Sequence, residues 1–176
     1  MADVLGDEQW SSYRRLGYLR LGRVLDGDTL AALPTRLDGP APPGFEADPR
    51  VRELIRRPLF RDISERHYGR HAGISILPGM LMGESAGRGT HRSWHQVGGD
   101  AWMLDRDPLV GLWVALDPLG RGSGGLQVIA ETHRLGLLER KGGTLTPESA
   151  VLHGPEEAIT SLEMEAGEAL LLHSWL

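Results

Sequence analysis

The 176-residue chain contains no cysteine, which excludes disulfides and thiolate metal sites, so a metal here must be held by His, carboxylate or water. It has no run approaching the roughly 20 apolar residues that cross a bilayer. Its opening, Met1-Ala2-Asp3-Val4-Leu5-Gly6-Asp7-Glu8, lacks the basic and apolar regions of a secretory leader. A soluble, cytoplasmic protein with no membrane partner is expected. Basic residues are in deficit as well: 24 Asp plus Glu against 19 Lys plus Arg give a net charge of −5. That balance offers no general attraction for phosphate backbones, which argues against nucleic acid as a partner.

Glycine, at 24, and proline, at 11, are plentiful and favour many turns between short strands. The length suits one domain with a real core. Asp7 and Glu8 open a helical pattern that Arg14, Arg15 and Gly17 close, and Tyr18 to Leu21 alternate as a short strand. A second helix follows, capped by Asp26 or Asp28 and ended by Pro34. Residues 38–43 are too proline-rich for helix or a central strand, which predicts an extended surface loop. Asp48-Pro49 starts a further helix, and another runs from Pro58 to about Tyr68, closed by Gly69.

From Gly73 the apolar period becomes that of strands, through Ile74, Ile76, Met80 and Met82. Residues 110–116 form an almost unbroken apolar strand, buried on both sides. Strands are also predicted over 124–129, over 159–164 before a turn at Ala166-Gly167, and over 169–176, running to the last residue. A final strand of this kind leaves ladder groups wanting a partner.

The most concentrated chemistry lies in Trp94-His95-Gln96-Val97-Gly98-Gly99-Asp100-Ala101-Trp102. Two indoles, an imidazole, a carboxamide and a carboxylate beside a glycine pair suit a pocket with apolar walls and a few convergent polar atoms. Spacing alone leaves alternatives open. His91 and His95 are four apart, but an i, i+4 metal pair needs a helix and this stretch reads as strand and loop. His133 reads as a structural residue holding the turn after its strand, and His67, His71 and His153 as exposed.

Five ordered segments together resemble the phytanoyl-CoA dioxygenase family of iron(II)- and 2-oxoglutarate-dependent oxygenases. They are Trp94-His95-Gln96, Trp113-Val114-Ala115-Leu116-Asp117, Gly124-Gly125-Leu126-Gln127-Val128-Ile129, Thr132-His133-Arg134-Leu135-Gly136 and the run from Gly167 to Leu176. The resemblance implies a mainly β fold with flanking helices: a double-stranded β-helix of the jelly-roll, cupin-like kind, possessing a helical part over about 1–70 and a barrel part over about 71–176. It implies iron(II) and 2-oxoglutarate as cofactors and hydroxylation of an aliphatic carbon of an unidentified small-molecule substrate as the reaction. His95 matches the first metal ligand. Gln96, Trp113 and Met80 match positions that line the 2-oxoglutarate pocket in relatives, although for Gln96 and Trp113 core packing competes with that role.

The chain departs from the family at three places. Val97 occupies the position of the Asp ligand, and a branched hydrocarbon cannot ligate a metal. Asp100 is the available substitute, brought in by the flexible glycine pair before it. The third ligand of relatives lies past the position matching His173, and Leu176 stands roughly two residues short of it. Glu84 falls where relatives carry Asn-Lys-Pro and would oppose an anionic cosubstrate if it faced the pocket. Two readings follow. One is a hydroxylase by family whose iron site is impaired in this chain. The other is a non-catalytic or truncated jelly-roll relative that binds a ligand or partner, with its open final strand pairing in a homodimer.

Overall fold

The computed structural model describes residues 4–33, 39–40, 48–70, 80–81, 94–98, 108–120, 126–139, 143–146, 150, 154 and 158–176. Four helices precede most of the strands. Helix α1 (Asp7–Leu16) begins where the Gln9 side chain accepts the Gly6 N–H at 3.0 Å, and ends at Gly17, whose N–H bonds Tyr13 O at 2.8 Å. Gly17 has φ +84°, and a Cβ there would lie 2.6 Å from His133 Nδ1 and 2.7 Å from Leu176 Cδ1. Conformation and space therefore both demand glycine. Helix α2 (Gly27–Ala32) is capped by Asp26, which accepts the Thr29 N–H at 2.8 Å. Helix α3 (Pro49–Ile55) is capped by Asp48, and α4 (Pro58–Tyr68) carries Pro at its first position and ends at Gly69.

The strands are β1 (Tyr18–Arg23), β2 (Gly39–Pro40), β3 (Met80–Leu81), β4 (His95–Gln96), β5 (Val110–Val114), β6 (Leu126–Ile129), β7 (Gly143–Thr144), β8 (Ile159–Leu162) and β9 (Glu168–His173). Among the described residues all pairing is antiparallel: a sheet in the order β1-β9-β5, and ribbons β2-β3, β4-β7 and β6-β8. Gly39–Pro40, expected as loop, joins β3 in a two-residue ribbon, where a proline without N–H is tolerated.

The central sheet separates two apolar clusters. Leu19, Leu112 and Leu171 are in register across it and pack with Ala169 against Trp10, Tyr13, Leu54, Leu59, Phe60 and Ile63 of the helices. One residue along each strand, Tyr18, Trp113, Leu170 and Leu172 pack with Ala115 against Val128, Leu162 and Met164 of the β6-β8 side. The two-residue strand period is the cause, because an apolar run buried on both faces fills both clusters at once. An extra residue in β1 shifts its register between Arg20 and Gly22, and Leu21 still packs on the helical cluster.

Two expectations about the last strand are corrected. β9 ends at His173, and Ser174 and Trp175 form a turn in which Leu176 N–H bonds back to His173 O at 3.0 Å. Nor is β9 an open edge: it is the middle strand, paired by β1 on one side and β5 on the other. The strand-like stretch expected over 74–82 is described only at Met80–Leu81; the rest lies outside the described residues. No helix among the described residues is long and apolar enough to cross a membrane.

Candidate functional site

Strand β4 carries the first residue of interest. His95 pairs with Thr144 and Gln96 with Gly143, and Trp94 O accepts the Leu145 N–H at 2.6 Å. His95 is partly buried, whereas Gln96 is only 6% exposed. Neighbours on an extended strand point to opposite faces, so the imidazole and the carboxamide serve different surroundings. The Gln96 amide donates to Gly136 O at 3.1 Å and Trp175 O at 2.6 Å, and its Oε1 accepts the Leu138 N–H at 2.8 Å. Three of its four bonding positions are thus taken by backbone. Val97 follows with its N–H on Ser174 O at 2.7 Å.

Trp113 lies on β5 opposite Leu170 and packs with Leu126, Leu162 and Leu172 on the side of the sheet away from the helices. Met80 begins β3. Asp100, Glu84, His71, His91 and His153 lie outside the described residues.

The described donors do not make a two-imidazole, one-carboxylate iron site. His95 offers one imidazole, Val97 offers no donor atom, and no group of three His, Asp or Glu able to hold a metal occurs among the described residues.

The structure does gather histidines, at a place that the sequence did not mark. His173 at the end of β9 has its ring 4.9 Å from that of His133 and 6.2 Å from that of His67, and Trp175 stands 5.8 Å away. His67 is half-buried against Tyr13 and Tyr68, which corrects the expectation of an exposed side chain. His133 holds its turn as expected. Its Nε2 lies 3.0 Å from Arg14 O, and because a carbonyl only accepts, that nitrogen carries the proton. Its Nδ1 is buried with no hydrogen-bond partner among the described residues, and a side chain on Gly17 would collide with it. His173 Nδ1 accepts the Trp175 N–H at 3.1 Å.

Burial pushes the His173 pKa down to about 4, assisted by the positive charge that His133 and His67 would carry. Burial likewise lowers that of His67, against a hydrogen bond with the Pro108 backbone. The cluster holds two rings, His67 and His173, that resist protonation. It joins α4, the 3-10 turn at Thr132–Leu135 and the end of β9, positions too far apart in sequence for any spacing to reveal.

The sequence profile of a family described as phytanoyl-CoA dioxygenase (PhyH) matches residues 75–176, the span holding β3 to β9. The chain belongs to the phytanoyl-CoA dioxygenase family. It is thereby placed among iron(II)- and 2-oxoglutarate-dependent oxygenases. Among solved structures, the chain is similar to EvdO2 from Micromonospora carbonacea var. aurantiaca, a protein crystallised in complex with 2-oxoglutarate. The likeness has a TM-score of 0.59 at 17% identity and covers 98% of this chain and 82% of that one. At that identity the likeness concerns the fold. No curated protein matches the sequence significantly.

Proposed function

We propose that this chain is a 2-oxoglutarate-oxygenase scaffold, a double-stranded β-helix built from the β1-β9-β5 sheet and the opposing β6-β8 ribbon, whose cofactor end lies at His95 and whose iron binding is impaired. The observation that carries this reading is Val97, a hydrocarbon two residues after His95 at the family's carboxylate position, in backbone fastened to Ser174 O. Losing an anionic ligand removes both a coordinate bond and the charge that balances the metal. Its effect on affinity exceeds the roughly 10–100-fold typical of an outer-shell change. With an intact site, the family's chemistry is hydroxylation of an aliphatic carbon coupled to conversion of 2-oxoglutarate to succinate. In this chain the same residue favours a binding role without turnover.

An anaerobic titration with iron(II) and 2-oxoglutarate tests the reading, with the charge-transfer absorption of the chelated complex as signal. The expected result is no complex for the unaltered chain and a complex in Val97→Asp extended past Leu176 to supply the family's third ligand, with affinity improved by more than roughly 100-fold. A complex in the natural chain followed by succinate release in air would refute the impairment. No complex in either form would refute the placement of the cofactor end at His95.

A further inference from the structure

Among the described residues strand β4 has little sheet pairing. It contributes two residues to a ribbon with β7, which is itself two residues long. Two segments nevertheless converge on its second residue. The Gln96 carboxamide bonds Gly136, Leu138 and Trp175, which lie 40, 42 and 79 residues away in the chain.

Each of these partners belongs to a turn anchored elsewhere. The turn before Gly136 is tied to α1 by Glu131 N–H to Leu16 O at 3.0 Å and by His133 Nε2 to Arg14 O at 3.0 Å, and to β6 by Thr132 Oγ1 to Ile129 O at 2.8 Å. The turn containing Trp175 is tied to the start of β5 by Ser174 N–H to Leu109 O at 2.9 Å and Leu109 N–H to Ser174 Oγ at 2.8 Å. Both turns also lean on Gly17, whose carbonyl accepts the His173 N–H at 2.8 Å and whose Cα faces His133.

We infer that Gln96 is a positioning residue: its carboxamide transmits the rigidity of these two turns to β4 and so sets where His95 stands. This rests on the reading that His95 marks the cofactor end. The residue type follows from the partners. Gly136 and Trp175 present carbonyl oxygens that need donors, and Leu138 presents an N–H that needs an acceptor. A carboxamide supplies two donors and an acceptor from one rigid plane; a carboxylate would set negative charge against two carbonyl dipoles, and a thioether would leave all three groups unsatisfied. Burial at 6% exposure withholds the water that would otherwise substitute. The opposite faces of adjacent strand residues explain how Gln96 governs His95 without touching anything bound there.

The test uses the intact chain with Gln96→Met and Gln96→Glu. Amide hydrogen exchange is followed at Leu138, Val97 and the central-strand residue Leu171, and the His95 ring signals are followed by NMR. In Gln96→Met, the Leu138 and Val97 amides are expected to exchange at least roughly tenfold faster, Leu171 to keep its protection, and the His95 signals to shift or broaden. In Gln96→Glu, the same defects are expected near neutral pH and to lessen on acidification, because a protonated carboxyl regains one donor and keeps an acceptor. Side-chain packing alone would not produce that recovery. Unchanged Leu138 exchange, unmoved His95 signals in both variants, or a pH-independent Gln96→Glu defect would each overturn the inference. The iron titration judges the cofactor end separately. Failure of the extended Val97→Asp form to bind iron removes the functional reading while these signals still decide the role of Gln96.

Discussion

Acidification tests the histidine cluster most directly. His173 has its pKa lowered from 6.5 to about 4, by burial first and then by repulsion from His133 and His67. In the unfolded chain the ring takes up a proton near its ordinary value, while the folded ring resists. The contribution to stability is therefore complete above pH 6.5 and is lost as pH falls through about 4. At about 1.4 kcal/mol per unit, a shift of this size has a ceiling of about 3 kcal/mol. Because the ring is half-buried, solvent screening discounts that to about 1–2 kcal/mol. His67, also lowered by burial, acts in the same direction. Asp48 is held down at about 2 by its bonds from Arg50, so its contribution is lost only below the ordinary carboxylate range and leaves the histidine window clear. Urea unfolding at steps from about pH 7.5 to about pH 4 should show stability declining, with a slope approaching one proton in the lower part of that range. In His173→Asn, which keeps an acceptor for the Trp175 N–H, the slope should flatten. Stability independent of pH over this range, or an equal slope in the variant, would refute the assignment of His173 as a buried ring that resists protonation.

Two further predictions concern packing. Gly17→Ala places a methyl group against His133 Nδ1 and Leu176 Cδ1 at a φ of +84°, and should cost about 2–4 kcal/mol in chemical denaturation. Leu170→Ala empties a site that is fully buried between Trp113 and the β6-β8 ribbon, with an expected loss of about 2–5 kcal/mol; a loss below about 1 kcal/mol would mean that the second cluster is not a packed core.

Local chemistry made much of the fold legible. Asp26, Asp48-Pro49, Gly17 and Gly69 start or stop helices for reasons contained within a few residues, and the structure places caps or ends at each of them. The apolar run at 110–116 reads as a strand buried on both faces; β5 spans Val110–Val114, and its residues, only partly buried, pack on both clusters. The departure of His95-Gln96-Val97 from the His-x-Asp pattern that the resemblance implies is likewise local and readable in the sequence.

Tertiary pairing decided what local pattern leaves open. An apolar run such as Ala169 to Leu172 has the same alternation whether it lies at the edge of a sheet or at its centre; only the presence of β1 and β5 on its two sides makes β9 central. The carboxamide of Gln96 is equally suited to a ligand or to backbone, and its partners at Gly136, Leu138 and Trp175 exist only once distant turns have docked. His67, His133 and His173 carry no mutual spacing, since they meet through an ordered helix, a turn and a strand end. Within a few residues the chain's own stereochemistry determines the structure. Beyond that range, burial selects which of many compatible groups come together, and a side chain's role is set by the neighbours that burial supplies.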